Sequence, residues 1–179
     1  MTTTLRSSII AQLGWTWNDE VGTSLVTDSN RLLFDKNLAD GADADQADAV
    51  WHAEGQILLA GQSTTLDLDA LEQSRFGGTI TIPLSKVKAI LIVNKNTSGS
   101  GYLLVGGAPV DEWYAPFGAS GDTVKVMPDS PLILSSSRDG WSVQAGSTAL
   151  RIAAAGDDVT YDVAILGTLA GGSGSSSGS

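Results

Sequence analysis

Few side chains in this sequence have the type and spacing that chemistry needs. The densest group is Asp40-Gly-Ala-Asp-Ala-Asp-Gln-Ala-Asp-Ala-Val-Trp-His-Ala-Glu54, in which four aspartates precede the only histidine of the chain. Asp43, Asp45 and Glu54 fall at the first, third and twelfth places of a calcium-loop register. Ala47 takes the fifth place and Asp48 the sixth, where a glycine should make the turn. A calcium site built from Asp40, Asp43, Asp45 or Asp48 is one reading. The plainer one is preferred: a small-residue loop, solvated by its aspartates, that delivers Val50 and Trp51 into a core. His52 is the only imidazole, and no serine elbow accompanies it, so a nucleophile–base pair is not expected. The G-x-S-x-G match Gly174-Ser-Ser-Ser-Gly178 sits in low-complexity sequence and carries no meaning there. Asp111-Glu112, ahead of Trp113-Tyr114, is the best candidate for a carboxylate pair. Neighbours in sequence splay apart on extended backbone, which disfavours it. No phosphate-loop or dinucleotide fingerprint occurs, and Gly99-Ser-Gly101 reads as a hairpin turn. No catalytic residue, cofactor or metal is therefore expected.

The elements that would position these residues follow from pattern. The chain has 179 residues, enough for one domain with tails, and 42% of them are hydrophobic. There are 20 acidic residues against 10 basic, a net charge of -10. That balance argues against nucleic acid and against an anionic membrane surface. The absence of cysteine excludes disulfides and thiolate sites. Neither a signal-peptide pattern nor an apolar run long enough to span a bilayer is readable. Periodicity is two rather than 3.6, with Gly, Pro, Asn, Asp and Ser clusters every 8 to 12 residues or so, the spacing of an all-β sandwich or barrel.

Candidate strands are 3–11, 56–60, 64–69, 79–82, 87–94, 102–106, 123–127, 131–135, 141–144, 149–153 and 160–166. A helical turn is expected over 68–74. Tyr161, Val163 and Ile165 share one face of their strand, as do Leu150 and Ile152, so each has a core face and a wetter one. The run Ala89-Ile-Leu-Ile-Val93 is apolar on both faces. It is expected to be a central strand whose second face is covered by the N-terminal segment or by another subunit. The division expected is an N-terminal arm over 1–37, a sandwich over 38–168 and a flexible Gly/Ser tail over 169–179.

The order Gly41-Ala-Asp-Ala-Asp-Gln-Ala-Asp48, Trp51, Leu66-Asp-Leu68, Val87-Lys-Ala-Ile-Leu-Ile-Val-Asn94, Leu104-Val-Gly-Gly107, Pro116-Phe117, Val126-Met-Pro128, Gly140-Trp141, Leu150-Arg-Ile152 and Tyr161-Asp-Val-Ala-Ile165 resembles small virion-associated proteins of tailed bacteriophages and prophages. The resemblance covers residues 38–168 and lies in strands and turns. It implies a jelly-roll-like antiparallel β-sandwich with little helix that decorates a capsid or joins head and tail. Such a protein would act by self-association and contacts with other virion proteins, assembling in the host cytoplasm. On that reading Trp15, Trp17, Trp113, Tyr114 and Phe117 are the interface residues. The alternative is a carbohydrate-binding module that stacks a glycan on Trp113 and Tyr114. The aromatics of that loop could also plug the end of the sandwich.

Overall fold

The computed structural model describes residues 4–75 and 77–171. The low-complexity tail expected from 169 onward lies outside them from residue 172, as does its G-x-S-x-G match. Every named element is a strand, and all strand pairs are antiparallel. No helix among the described residues is long and apolar enough to cross a membrane.

Eight strands form two facing sheets. They are β3 (Ala49–Leu58), β4 (Ser63–Asp67), β7 (Leu84–Asn94), β8 (Tyr102–Gly106), β9 (Thr123–Val126), β10 (Ser130–Ser135), β12 (Ala149–Ala155) and β13 (Val159–Leu169). One sheet runs β10-β7-β13-β3, and a short β11 (Trp141–Ser142) adds to β7. The other runs β4-β12-β8-β9. Numbering the eight in chain order, the sheets hold strands one, eight, three, six and two, seven, four, five. That is the jelly-roll arrangement. A small hairpin, β5 (Leu71–Arg75) with β6 (Gly78–Ile82), closes one side. A long hairpin, β1 (Ser7–Val21) with β2 (Ser24–Leu38), is a sheet of its own.

Alternation decides the core. Ile90 and Ile92 of β7, Leu103 and Val105 of β8, Leu150 and Ile152 of β12, and Tyr161, Val163 and Ile165 of β13 all point between the sheets and are buried. Strand β7 is central in its sheet, between β10 and β13, as its two-sided apolar run requires.

A bulge in β7 places one residue that alternation misreads. Leu166 pairs with Ala89, but Gly167 pairs with Val87, so Lys88 is the extra residue. The bulge switches the core face from Val87 to Ile90 and tucks Lys88 under the neighbouring loops, where it is wholly buried. The expected helical turn over 68–74 is corrected. Leu68 and Leu71 are both core residues, Leu68 within the Asp67–Ala70 turn and Leu71 just after it. Leu68 is held by backbone bonds to Thr148 and Leu84, and 71–75 becomes a strand.

Candidate interaction surface

The acidic loop is where chemistry looked densest, and the structure disperses it. Asp40 accepts a hydrogen bond from the Leu5 N–H at 2.8 Å, and Asp48 accepts from the Leu169 N–H at 2.7 Å. Asp45 pairs with Lys36 at 3.0 Å. Asp43 contributes its backbone: its N–H donates to the Gln46 side chain, and its carbonyl accepts from Lys88 Nζ at 3.3 Å. Lys88 Nζ also donates to the Arg138 carbonyl at 2.6 Å. A lysine ammonium thus occupies the loop's interior, and burial holds its pKa below the ordinary lysine value. No group of three metal-ligating side chains occurs among the described residues. Of the calcium candidates, the Asp45 and Asp48 side chains are turned to different structural partners, and Asp43 is engaged through its backbone. The loop does deliver Trp51, whose indole N–H donates to the Glu72 carbonyl at 2.8 Å. Val50 points the opposite way, onto the sheet's outer face, as alternation demands.

His52 is half exposed on the outer face of β3, with its Nδ1 3.6 Å from Glu54. The shallow depression beside it is lined by His52, Glu54, Leu91, Val93, Asp162, Val163 and Ala164, none of which carries a hydroxyl. Glu112 is held by the Ser120 hydroxyl and the Gly121 N–H, which lower its pKa and fasten the loop that follows. Asp157, bonded by the Ser100 N–H and hydroxyl, is lowered likewise. Asp162, bonded by the Gly55 N–H and Lys95, is lowered too. A carboxylate with a depressed folded pKa stabilises the fold above its unfolded pKa of about 4 and loses that contribution as pH falls through the folded value. Melting temperature is therefore expected to fall on acidification below about pH 4. Asp157→Asn should lower it at neutral pH and flatten the acid slope, and a melting series over that range reads both effects.

Of the three readings of Trp113, as interface residue, sugar platform or plug of the sandwich end, the structure corrects the first two and places it in the core. Its side chain has no exposure, its N–H donates to the Ser142 carbonyl at 2.8 Å, and its ring meets Phe117 and Trp141 edge-to-face at 6.5 and 6.3 Å. The loop folds inward because the Asp111 carbonyl accepts the N–H groups of both Thr148 and Ala149. Phe117 packs on the core with it, and Tyr114 alone stays exposed. A glycan platform of Trp113 with Tyr114 is not formed.

The surface that remains is the β1–β2 arm. Its register is unbroken from Ser7↔Leu38 to Val21↔Ser24. It closes on Gly22-Thr23, where Gly22 takes a φ of 65°, the first-position glycine of a two-residue hairpin turn. The register sorts the side chains into two faces. Ile9, Ala11, Leu13, Trp15, Trp17 and Val21 share one face with Leu38, Phe34, Leu32 and Val26, interspersed with the polar Ser7, Asp19, Ser24, Asp28, Asn30 and Lys36. The other face holds Gln12, Thr16, Asn18 and Glu20 with Asp35, Arg31, Ser29 and Thr27, and only Ile10, Leu33 and Leu25 as large apolar residues. Cross-strand bonds satisfy the polar face: Thr16 with Ser29 at 3.1 Å, and Thr27 to Asn18 at 2.8 Å. The apolar face is open, with Trp17 70% and Leu32 71% exposed. Only its base is covered: Ile9 and Leu38 pack with Leu166, Val50 and Ala89 on the outer face of the β7 sheet. From Gln12 to Asp35 every residue is exposed. Of the expected interface residues, Trp15 and Trp17 lie on this open face. Sequence reasoning expects an arm over 1–37 but ends its strand at Ala11, and so misses the long hairpin that builds it. The alternation Leu13-Gly-Trp15-Thr-Trp17 and the Gly22 turn were the signals for it.

Comparison with protein-family models, with curated proteins and with solved structures finds no match to this chain.

Proposed function

We propose that this chain is a non-enzymatic structural protein that self-associates through its N-terminal arm. One observation carries the reading: a two-stranded ribbon with its large apolar side chains concentrated on one face and hydrogen bonds on the other, to which no sandwich strand pairs among the described residues. An isolated hairpin is marginal in water, and a one-sided apolar ribbon becomes stable when that side is covered. Jelly rolls serve capsids, lectins and enzymes alike, so the fold does not choose among them. The likeness of residues 38–168 to tailed-phage virion proteins supports a capsid-decoration or head/tail-associated role. The partners are then further copies and other virion proteins.

Light scattering across micromolar concentrations tests the reading. An oligomer is expected, and a strict monomer overturns the proposal. The double variant Trp17→Asp/Leu32→Asp removes two large side chains, each contributing about 1.5–3 kcal/mol when fully buried. It is expected to weaken association by at least about a hundredfold. Both positions lie on the exposed arm, so the sandwich's tryptophan emission should not change.

A further inference from the structure

Among the described residues, two uncovered apolar surfaces adjoin. One is the distal arm. The other is the outer face of the β10-β7-β13-β3 sheet. Beside the arm's base, Ile10, Leu91, Ile133 and Ala164 help to line a groove of about 410 Å³ whose walls are almost wholly apolar. Ile133 pairs with Leu91 and Leu91 with Ala164, so the three form one row across the sheet. Leu91 is 40% and Ile133 42% exposed. Leu91 is an outward side chain of the strand that is apolar on both faces, and Ile133 continues the row on β10. The arm's base already shows how the two surfaces fit, because Ile9 and Leu38 of the arm's apolar face are buried on this sheet face.

We propose that the groove receives the distal arm of a second copy, and that two copies exchange arms reciprocally. This rests on the self-association reading and states where the arm goes. Area favours it over pairing arm on arm. The free part of the arm is ten residue pairs long, from Gln12↔Leu33 to Val21↔Ser24. At ~3.4 Å per residue and roughly 10 Å of ribbon width, its tryptophan face, Asp19 and Asp28 at the edges of Trp17 included, covers about 350 Å². Two arms packed only on each other bury about 700 Å² in total, below the roughly 1,200 Å² of a specific interface. Reciprocal docking on two grooves buries more than arm-on-arm pairing, because the two sheet faces are covered as well as the two arms, and it gives a closed two-fold dimer. It also covers Leu91 and Ile133, which arm-on-arm pairing leaves wet. The arm's polar face, with Glu20, Asp35 and Arg31, then faces solvent.

The chain has no cysteine, so single cysteines report one position each. Full-length Leu32→Cys is mixed with size-tagged Ile133→Cys and treated with a short bis-maleimide. The mixed crosslink is expected to dominate. Ser29→Cys, on the arm's opposite face, should give roughly tenfold less of it. Leu13→Cys with Leu91→Cys is a second pair, to be used if either first variant fails to fold. If Leu32→Cys links only to itself, or Ser29→Cys links to the groove equally well, while light scattering still shows an oligomer, the groove assignment is overturned and self-association stands. If the unmodified protein is monomeric, both fall. Binding of the arm to neutral lipid vesicles in place of the mixed crosslink would also overturn the assignment.

Discussion

Trp113→Ala is expected to lower the free energy of unfolding by about 4 kcal/mol, within the 3–5 kcal/mol range of large aromatic deletions in cores. Three losses coincide at one site. A fully buried indole leaves a cavity at the end of the sandwich. Its edge-to-face contacts with Phe117 and Trp141 disappear, each of a kind worth about 0.5–1.5 kcal/mol. The Ser142 carbonyl loses its donor, at about 1–3 kcal/mol if no water replaces it. These do not add, because relaxation into the cavity is shared among them. For a domain of this size the result is a melting temperature lower by about 8–16 °C. Trp113→Phe keeps most of the volume and loses the N–H, so it should cost about 1–3 kcal/mol. Trp17→Ala, measured dilute enough to keep the chain dissociated, should shift melting by no more than about 2 °C, since exposed positions lie within ±0.5 kcal/mol. Equal shifts for Trp113→Ala and Trp17→Ala would refute the assignment of one tryptophan to the core and the other to a surface.

That contrast shows what local sequence could reveal. Strands such as β12 and β13 alternate cleanly, and their core faces are readable from Leu150, Ile152, Tyr161, Val163 and Ile165 alone. Trp113 and Trp17 each sit near acidic residues in a locally polar stretch, and nothing nearby tells them apart. Trp113 is pulled inward by bonds from Thr148 and Ala149, more than thirty residues away along the chain. The arm's second strand hides its pattern for another reason. Leu32-Leu-Phe34 is a continuous apolar run, so period two is invisible within it. Only pairing with β1 puts Leu32 and Phe34 on the tryptophan face and Leu33 on the other. The acidic loop looked like a cation site and does hold a cation. That cation is a lysine 45 positions from Asp43, turned inward by a bulge that no local motif announces.

Lys88 is therefore the second residue whose replacement is expected to have a large effect, and the sign across two variants is informative. Lys88→Ala removes a wholly buried stem and strips the carbonyls of Asp43 and Arg138 of a shared donor. The expected loss is about 3 kcal/mol, combining cavity and unsatisfied acceptors. Lys88→Met keeps the stem's volume and orphans the same carbonyls, but it removes a charge whose burial is itself unfavourable. It should recover about half of that loss through packing alone. The same burial sets a pH dependence. With its folded pKa below the unfolded value of ~10.4, the unfolded chain binds more protons in the window between them. Stability therefore rises with pH across that window, and the rise is absent in Lys88→Met. Denaturant midpoints at about pH 7 and about pH 9.5, the upper value kept below tyrosine ionisation near 10, measure it. If Lys88→Met is as stable as the parent at neutral pH, the ammonium contributes nothing net, and packing of its stem alone holds the loop. If Lys88→Met is no better than Lys88→Ala, the two carbonyl bonds are what tie the acidic loop to the sandwich.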